Sequence, residues 1–165
     1  MNIKGILCFG AEQSGKTSLA KKLCQMLGMD YVHMNPPVDV TDWIHEYTKD
    51  AFFAINKNKQ LLLDRGYVCE MVYGPKLRNT NNITPEIQKA IEDFYIEHNY
   101  VAVLCHRNSF RESAWVDRDE LCTYEENLDI RERYQTVFKT VSIPKVIVDP
   151  FEQSVSTIIG KIQNI

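Results

Sequence analysis

Short apolar runs alternate with longer amphipathic stretches along the chain. Residues 3–9 form an apolar run ending in a glycine-bearing turn, the pattern of a buried strand. Across residues 15–27, Leu19, Leu23, Met26 and Leu27 recur at helical spacing and Gly28 supplies the stop. Residues 31–34 read as a second strand, closed by Asn35-Pro36-Pro37. Thr41 then caps a helix carrying Trp43, Ile44, Tyr47, Ala51 and Phe52. Residues 60–63 read as a third strand, ending at Asp64-Arg65. Thr84-Pro85-Glu86 opens a helix with proline at its first position, and Ile87, Ala90, Ile91 and Phe94 form its apolar face. Residues 100–105 give a fourth strand and 145–148 a fifth, with helices over 124–139 and 151–162. Residues 107–121 are polar, carry three arginines and show no period.

Strands alternating with helices imply an α/β fold, a parallel sheet covered on both faces. Ligands of such sheets bind beyond the carboxyl ends of the strands. Every predicted strand here ends in polar or glycine-bearing sequence, at Gly10, Asn35, Asp64, His106-Arg107 and Asp149, so these ends should meet at one cleft.

Composition narrows the partners. At 165 residues the expectation is one domain spanning 1–165. With 44% hydrophobic and 25% charged residues the chain reads as an ordinary globular protein, neither disordered nor fibrous. No apolar run approaches the ~20 residues a membrane span needs. The N-terminus lacks a secretory signal pattern. Nineteen basic against 22 acidic residues give a net charge of −3, which counts against a broad nucleic-acid footprint but leaves room for a basic cleft. Five cysteines (Cys8, Cys24, Cys69, Cys105 and Cys122) form no Cys-x-x-Cys pair, so they read as reduced residues of a cytoplasmic protein.

The sharpest signal is Gly10-Ala11-Glu12-Gln13-Ser14-Gly15-Lys16-Thr17, which fits G-x-x-x-x-G-K-[ST] and lies between the first strand and first helix, where a phosphate-binding loop (P-loop) belongs. The glycines let the backbone curl around phosphate oxygens. Lys16 reaches the β- and γ-phosphates, the Thr17 hydroxyl holds Mg²⁺, and the helix dipole adds to the anion site. Ser18 joins the loop residues as a nucleotide-binding candidate. A GTPase should carry Asn-Lys-x-Asp after a late strand; the nearest match, Asn56-Lys57-Asn58-Lys59, precedes a strand and lacks the aspartate. A motor ATPase should be longer, with an apolar run ending in Asp-Glu. Here the third strand ends in Asp64-Arg65, a carboxylate able to hold metal or orient an acceptor and a guanidinium able to grip phosphate.

A P-loop followed by a strand ending in Asp-Arg resembles the nucleoside and nucleoside monophosphate kinases, thymidylate kinases above all. Met34-Asn35-Pro36 lies where those enzymes have Glu-Pro, and residues 64–74 are similar to their Asp-Arg-Tyr-x-x-Ser region. Arg131-Glu132-Arg133-Tyr134 resembles their Arg-x-x-Tyr stretch, and Val148-Asp149 with Val155 and Ile158 their last strand and helix. Two departures bear on the acceptor: Asn35 replaces glutamate, and Cys69 stands where serine is usual. The chain is also shorter than typical thymidylate kinases.

The resemblance implies a three-layer α/β/α P-loop kinase fold with a five-stranded parallel sheet. It implies transfer of the ATP γ-phosphate, with Mg²⁺, to a deoxynucleoside monophosphate such as dTMP or dUMP. On that reading Lys16, Thr17 and Asp64 hold ATP and metal, and Arg65 binds the acceptor phosphate. Residues 107–120 are a lid whose Arg107, Arg111 and Arg118 neutralise the transferring group. Asn35, Arg65, Tyr67 and Tyr73 line the acceptor pocket. Trp43, Tyr47, Phe52 and Phe53 read as core, and His33 and His106 as structural residues at strand ends. The resemblance also brings in a homodimer, and so compact a kinase suggests a phage or other mobile source. Two other readings stay open: a kinase of a nucleoside or of a DNA hydroxyl, at a 5′ end or hydroxymethylated base, and a P-loop ATPase or GTPase switch without an acceptor.

Overall fold

The computed structural model describes residues 3–116 and 122–165. Among them five strands form one parallel sheet: β1 (Gly5–Phe9), β2 (Asp30–His33), β3 (Leu61–Asp64), β4 (Tyr100–Cys105) and β5 (Lys145–Val148), in the order β2-β3-β1-β4-β5. Each strand lies within two residues of its sequence expectation. The three inner strands are apolar on both faces, and every residue of β1, β3 and β4 is buried. Register follows from that burial. Leu7 pairs with Leu63 on one side and Ala102 on the other, and Ile6 with Leu62 and Val101.

Strand alternation sends these residues into two cores. Leu7, Phe9, Leu63 and Leu104 pack on one face with α2 (Trp43–Asn56), α3 (Tyr67–Tyr73), α4 (Pro85–Glu97) and α5 (Tyr124–Thr140). Ile6, Cys8, Leu62 and Val103 pack on the other, beneath α1 (Lys16–Leu27) and α6 (Val155–Gln163). Cys8, Cys24, Cys69 and Cys105 are free thiols, and Cys8, Cys24, Cys105 and Cys122 are buried.

Side-chain caps set most helix starts. Asp42, rather than the expected Thr41, accepts the His45 amide at α2. Thr84 precedes Pro85 at α4, Thr123 and Glu126 close a capping box at α5, and Ser154 starts α6. The α6 start falls after the expected residue 151, because Asp149 accepts the Phe151 amide and holds that segment in a turn. Helix α1 differs: its N-cap is Gly15 in left-handed conformation, without a side-chain cap. Its first-turn amides are therefore open toward the carboxyl ends of the strands. The sequence pattern missed α3, seven residues long, and the π-helical turn Gly74–Arg78 that extends it. No helix among the described residues is long and apolar enough to cross a membrane.

Candidate active site

The loop between β1 and α1 is built around positive φ angles: Gly10 at 151°, Gln13 at 55° and Gly15 at 80°. At residue 10 a Cβ would stand 2.6 Å from the Cys105 carbonyl oxygen and from Ser14 Oγ. At residue 15 it would meet Phe151 and Pro150 at 3.0 and 3.1 Å. The Ser14 hydroxyl is buried with no hydrogen-bond partner among the described residues, and Ser18 is exposed on the first turn of α1.

Lys16 and Asp64 face each other across the carboxyl ends of β1 and β3. Lys16 Nζ lies 3.2 Å from Asp64 Oδ1, with side-chain exposures of 7% and 0%. Asp64 Oδ2 accepts from the Thr17 hydroxyl at 2.7 Å and the Tyr31 hydroxyl at 2.8 Å, and His33 Nδ1 lies 3.4 Å away. Burial alone would raise the Asp64 pKa, but Lys16 and the Thr17 and Tyr31 hydroxyls hold it below the usual carboxylate range. Burial likewise opposes the Lys16 charge, but Asp64, with smaller contributions from Cys69 and Cys8, more than offsets it and leaves the ammonium harder to deprotonate. The centre is thus a fixed pair of opposite charges.

Arg65 follows in the left-handed region at φ 83°, its amide donating to the Cys8 carbonyl at 2.9 Å. Such strain in a non-glycine residue persists where the surroundings impose it, often at functional sites. Its guanidinium lies 3.3 Å from Glu12 Oε1. Beyond it opens a pocket between the β2 end and α3, whose lining includes Asn35, Pro37, Tyr47, Arg65, Cys69 and Tyr73. Cys69 Sγ accepts from the Tyr134 hydroxyl at 3.0 Å, and burial keeps it a thiol. The Tyr73 hydroxyl is buried without a hydrogen-bond partner among the described residues.

Also beside the P-loop, two arginines share the Phe110 ring. Arg131 lies 3.7 Å from the Phe110 ring centre, and Arg107 4.0 Å from that of Phe151 and 5.5 Å from Phe110. Arg131 donates to the Glu12 carbonyl at 2.9 Å and to Asn127 Oδ1 at 2.6 Å. Arg131 Nη1 and Arg107 Nε are buried without hydrogen-bond partners among the described residues. Burial, then the nearby Arg107 charge, pulls the Arg131 pKa down to about 10. Two crowded guanidiniums with spare donors beside a P-loop make a place for an anion. Gln13 holds the segment beyond: its Nε2 donates to the Val116 carbonyl at 2.7 Å, and its Oε1 accepts from the Val116 amide at 3.1 Å.

No family model matches the sequence, and no curated protein matches it. Solved structures do. YorR from Bacillus subtilis, in complex with phosphorylated GDP, superposes with a TM-score of 0.70 at 19% identity, covering 97% of this chain and 94% of that one. Deoxyadenosine kinase from M. mycoides with bound dCTP gives 0.58 at 16% identity, covering 98% and 100%; with bound dATP it gives 0.58 at 17%, covering 97% and 99%. The fold is that of the P-loop kinases.

Against that fold, Lys16, Thr17, Asp64 and Arg65 stand together, while Asn35, Arg65 and Tyr73 line the pocket. Tyr67 does not. Its ring packs edge-on against Phe9 and its hydroxyl donates to Glu92 at 2.8 Å, because position 67 faces the sheet at the start of α3. Phe52 and Phe53, expected in the core, are 57% and 60% exposed, whereas Tyr47 both packs inward and lines the pocket. Arg107 adjoins the P-loop through Phe151, Arg111 is exposed, and Arg118 lies outside the described residues. His106 meets Gln135, but His33 sits at the Asp64 cluster. Tyr31, which donates to Asp64, and Glu70 and Arg78, which also line the pocket, had no sequence signal. The placement of Arg131 had one: it falls on the buried side of α5 with Asn127, Ile130, Tyr134 and Phe138.

Proposed function

We propose that this protein is an ATP- and Mg²⁺-dependent phosphotransferase of the cytoplasm that phosphorylates a nucleotide, with a deoxynucleoside monophosphate as acceptor. The observation that carries this reading is the placement of Arg65, at the junction of the Lys16–Asp64 pair and a pocket beside the P-loop. Thr17 and Asp64 offer hard oxygen ligands 2.7 Å apart, a donor set that suits Mg²⁺, and Lys16 stands ready for the donor phosphates. The metal would neutralise charge between the β- and γ-phosphates. Arg107 and Arg131, with unused donors, would stabilise charge on the transferring group, and residues 107–120 would serve as a lid that excludes water.

The same pocket favours a monophosphate over a nucleoside. A hydroxyl acceptor needs a base, whereas phosphate oxygens are already anionic. The residue at the β2 exit is Asn35, and Asp64 is engaged by Lys16, Thr17 and Tyr31. The solved neighbours carry nucleotides with cytosine, adenine and guanine bases, while the thymidylate kinase resemblance implies dTMP or dUMP. The test is transfer of labelled γ-phosphate from ATP with Mg²⁺ to separate nucleoside, monophosphate and DNA acceptors. Label on a monophosphate is expected. Label on a nucleoside or DNA alone overturns the acceptor, and free phosphate without labelled acceptor turns the reading to a switch ATPase.

A further inference from the structure

The acceptor pocket has two chemically different ends. Arg65 lies toward the P-loop, 3.3 Å from Glu12 Oε1. The other end holds Glu70, Arg78 and Tyr47. Glu70 is a carboxylate only 4% exposed. Its Oε1 accepts from Asn82 Nδ2 at 2.9 Å and its Oε2 from the Arg78 guanidinium. The chain makes room for it: a Cβ at Gly74 would stand 2.9 Å from Oε1. Burial and the Glu70 charge both push the Tyr47 hydroxyl up, so it remains a donor.

A buried carboxylate costs several kcal/mol unless it is paired, and Arg78 is a half-exposed partner. An apolar side chain would fill the same volume without that cost. An ionised carboxylate offers about four acceptor positions and a guanidinium five donors, so the mutual contacts leave both with capacity to spare. This end therefore presents acceptors beside donors.

We infer that Glu70 and Arg78 read the acceptor's base, and that this base carries an amino group next to a ring nitrogen or carbonyl, as cytosine, adenine and guanine do. The inference rests on the reading of this pocket as the acceptor site of a nucleotide kinase. The amino group donates to Glu70, and the neighbouring nitrogen or oxygen accepts from Arg78. Thymine and uracil carry their one N–H between two carbonyls, so when that N–H donates to Glu70 and one carbonyl accepts from Arg78, the second carbonyl oxygen is left facing the carboxylate. Leaving one buried polar group unsatisfied costs about 1–3 kcal/mol, roughly 5–150-fold in affinity.

The experiment is calorimetric binding of dCMP, dAMP, dGMP, dTMP and dUMP to the wild-type protein and to Glu70→Gln, without ATP, alongside the transfer assay. At least one amino-bearing monophosphate should bind about tenfold or more tightly than dTMP and dUMP, and Glu70→Gln should reduce that preference about tenfold. Tighter binding of dTMP or dUMP, or an equal loss for all five in the variant, overturns the base assignment and leaves the kinase reading standing. Failure of every monophosphate both to bind and to accept phosphate overturns the acceptor reading itself, and this inference with it. Should Glu70→Gln not fold, Arg78→Lys, which keeps a cation beside Glu70 but loses the guanidinium's spare donors, makes the same comparison.

Discussion

At the scale of single residues, the site is held by charges that would be costly if separated. Asp64→Asn removes the partner of a buried ammonium, and breaking one side of such a pair costs about 3 kcal/mol or more. For a chain of this size that lowers Tm by about 6–12 °C at neutral pH, along with loss of phosphotransfer. The pH dependence has a definite sign. Because the Asp64 pKa is lowered from its ordinary 3.8, its contribution is present above that value and fades as pH falls through the lower folded one. The Tm difference between wild type and Asp64→Asn should therefore shrink below about pH 4, and a constant difference down to pH 2 would refute the assignment. Arg131 is the opposite case, a cation whose charge burial and Arg107 disfavour. Arg131→Met gives up two hydrogen bonds but relieves that desolvation. Its Tm should move by only a few degrees while kcat/KM falls about 100-fold or more; parallel loss of both would make Arg131 a structural residue.

At the scale of elements, sequence and structure agree where a period had length to show itself. The five strands and helices α1, α4 and α5 were legible because buried positions repeat and because Thr84-Pro85 and Gly28 mark ends. Helix α3 was not legible. Seven residues make barely two turns, and its tyrosines split between duties: Tyr67 enters the core while Tyr73 lines the pocket. The exposed Phe52 and Phe53 show the limit of reading aromatics at helical spacing as core. Likewise the P-loop pattern locates Gln13 without revealing that its side chain is spent on Val116, over a hundred residues away in the chain. That double hydrogen bond joins the P-loop to the proposed lid. Gln13→Ala should loosen the segment after β4 and leave the sheet intact. Limited proteolysis near residue 116 should speed up several-fold and KM for ATP should rise, with Tm within about 2 °C of wild type. Unchanged proteolysis and KM would show that the clamp holds nothing in place.

At the scale of the whole molecule, the sheet gathers its chemistry at one edge without needing a ligand to hold it there. The Asp64 carboxylate is already neutralised by Lys16 and by the Thr17 and Tyr31 hydroxyls, so removing divalent cations leaves no buried charge uncompensated. A chelator should therefore leave Tm of the nucleotide-free protein unchanged while abolishing phosphotransfer. The proposed donor site behaves differently. The open amides at α1, and the Ser14 hydroxyl, Arg107 Nε and Arg131 Nη1 that have no hydrogen-bond partner among the described residues, would be satisfied by an arriving anion. A ligand that binds only the folded state stabilises by about 2.7 kcal/mol at a hundred times its Kd, a rise of about 5–11 °C here. A non-hydrolysable ATP analogue at that excess should give this shift with Mg²⁺ and much less of it with EDTA. Equal shifts with and without the metal would mean that Thr17 and Asp64 do not hold it. A fall in Tm on adding EDTA alone would mean that the fold itself depends on a cation, against the neutralisation that the Lys16–Asp64 pair provides.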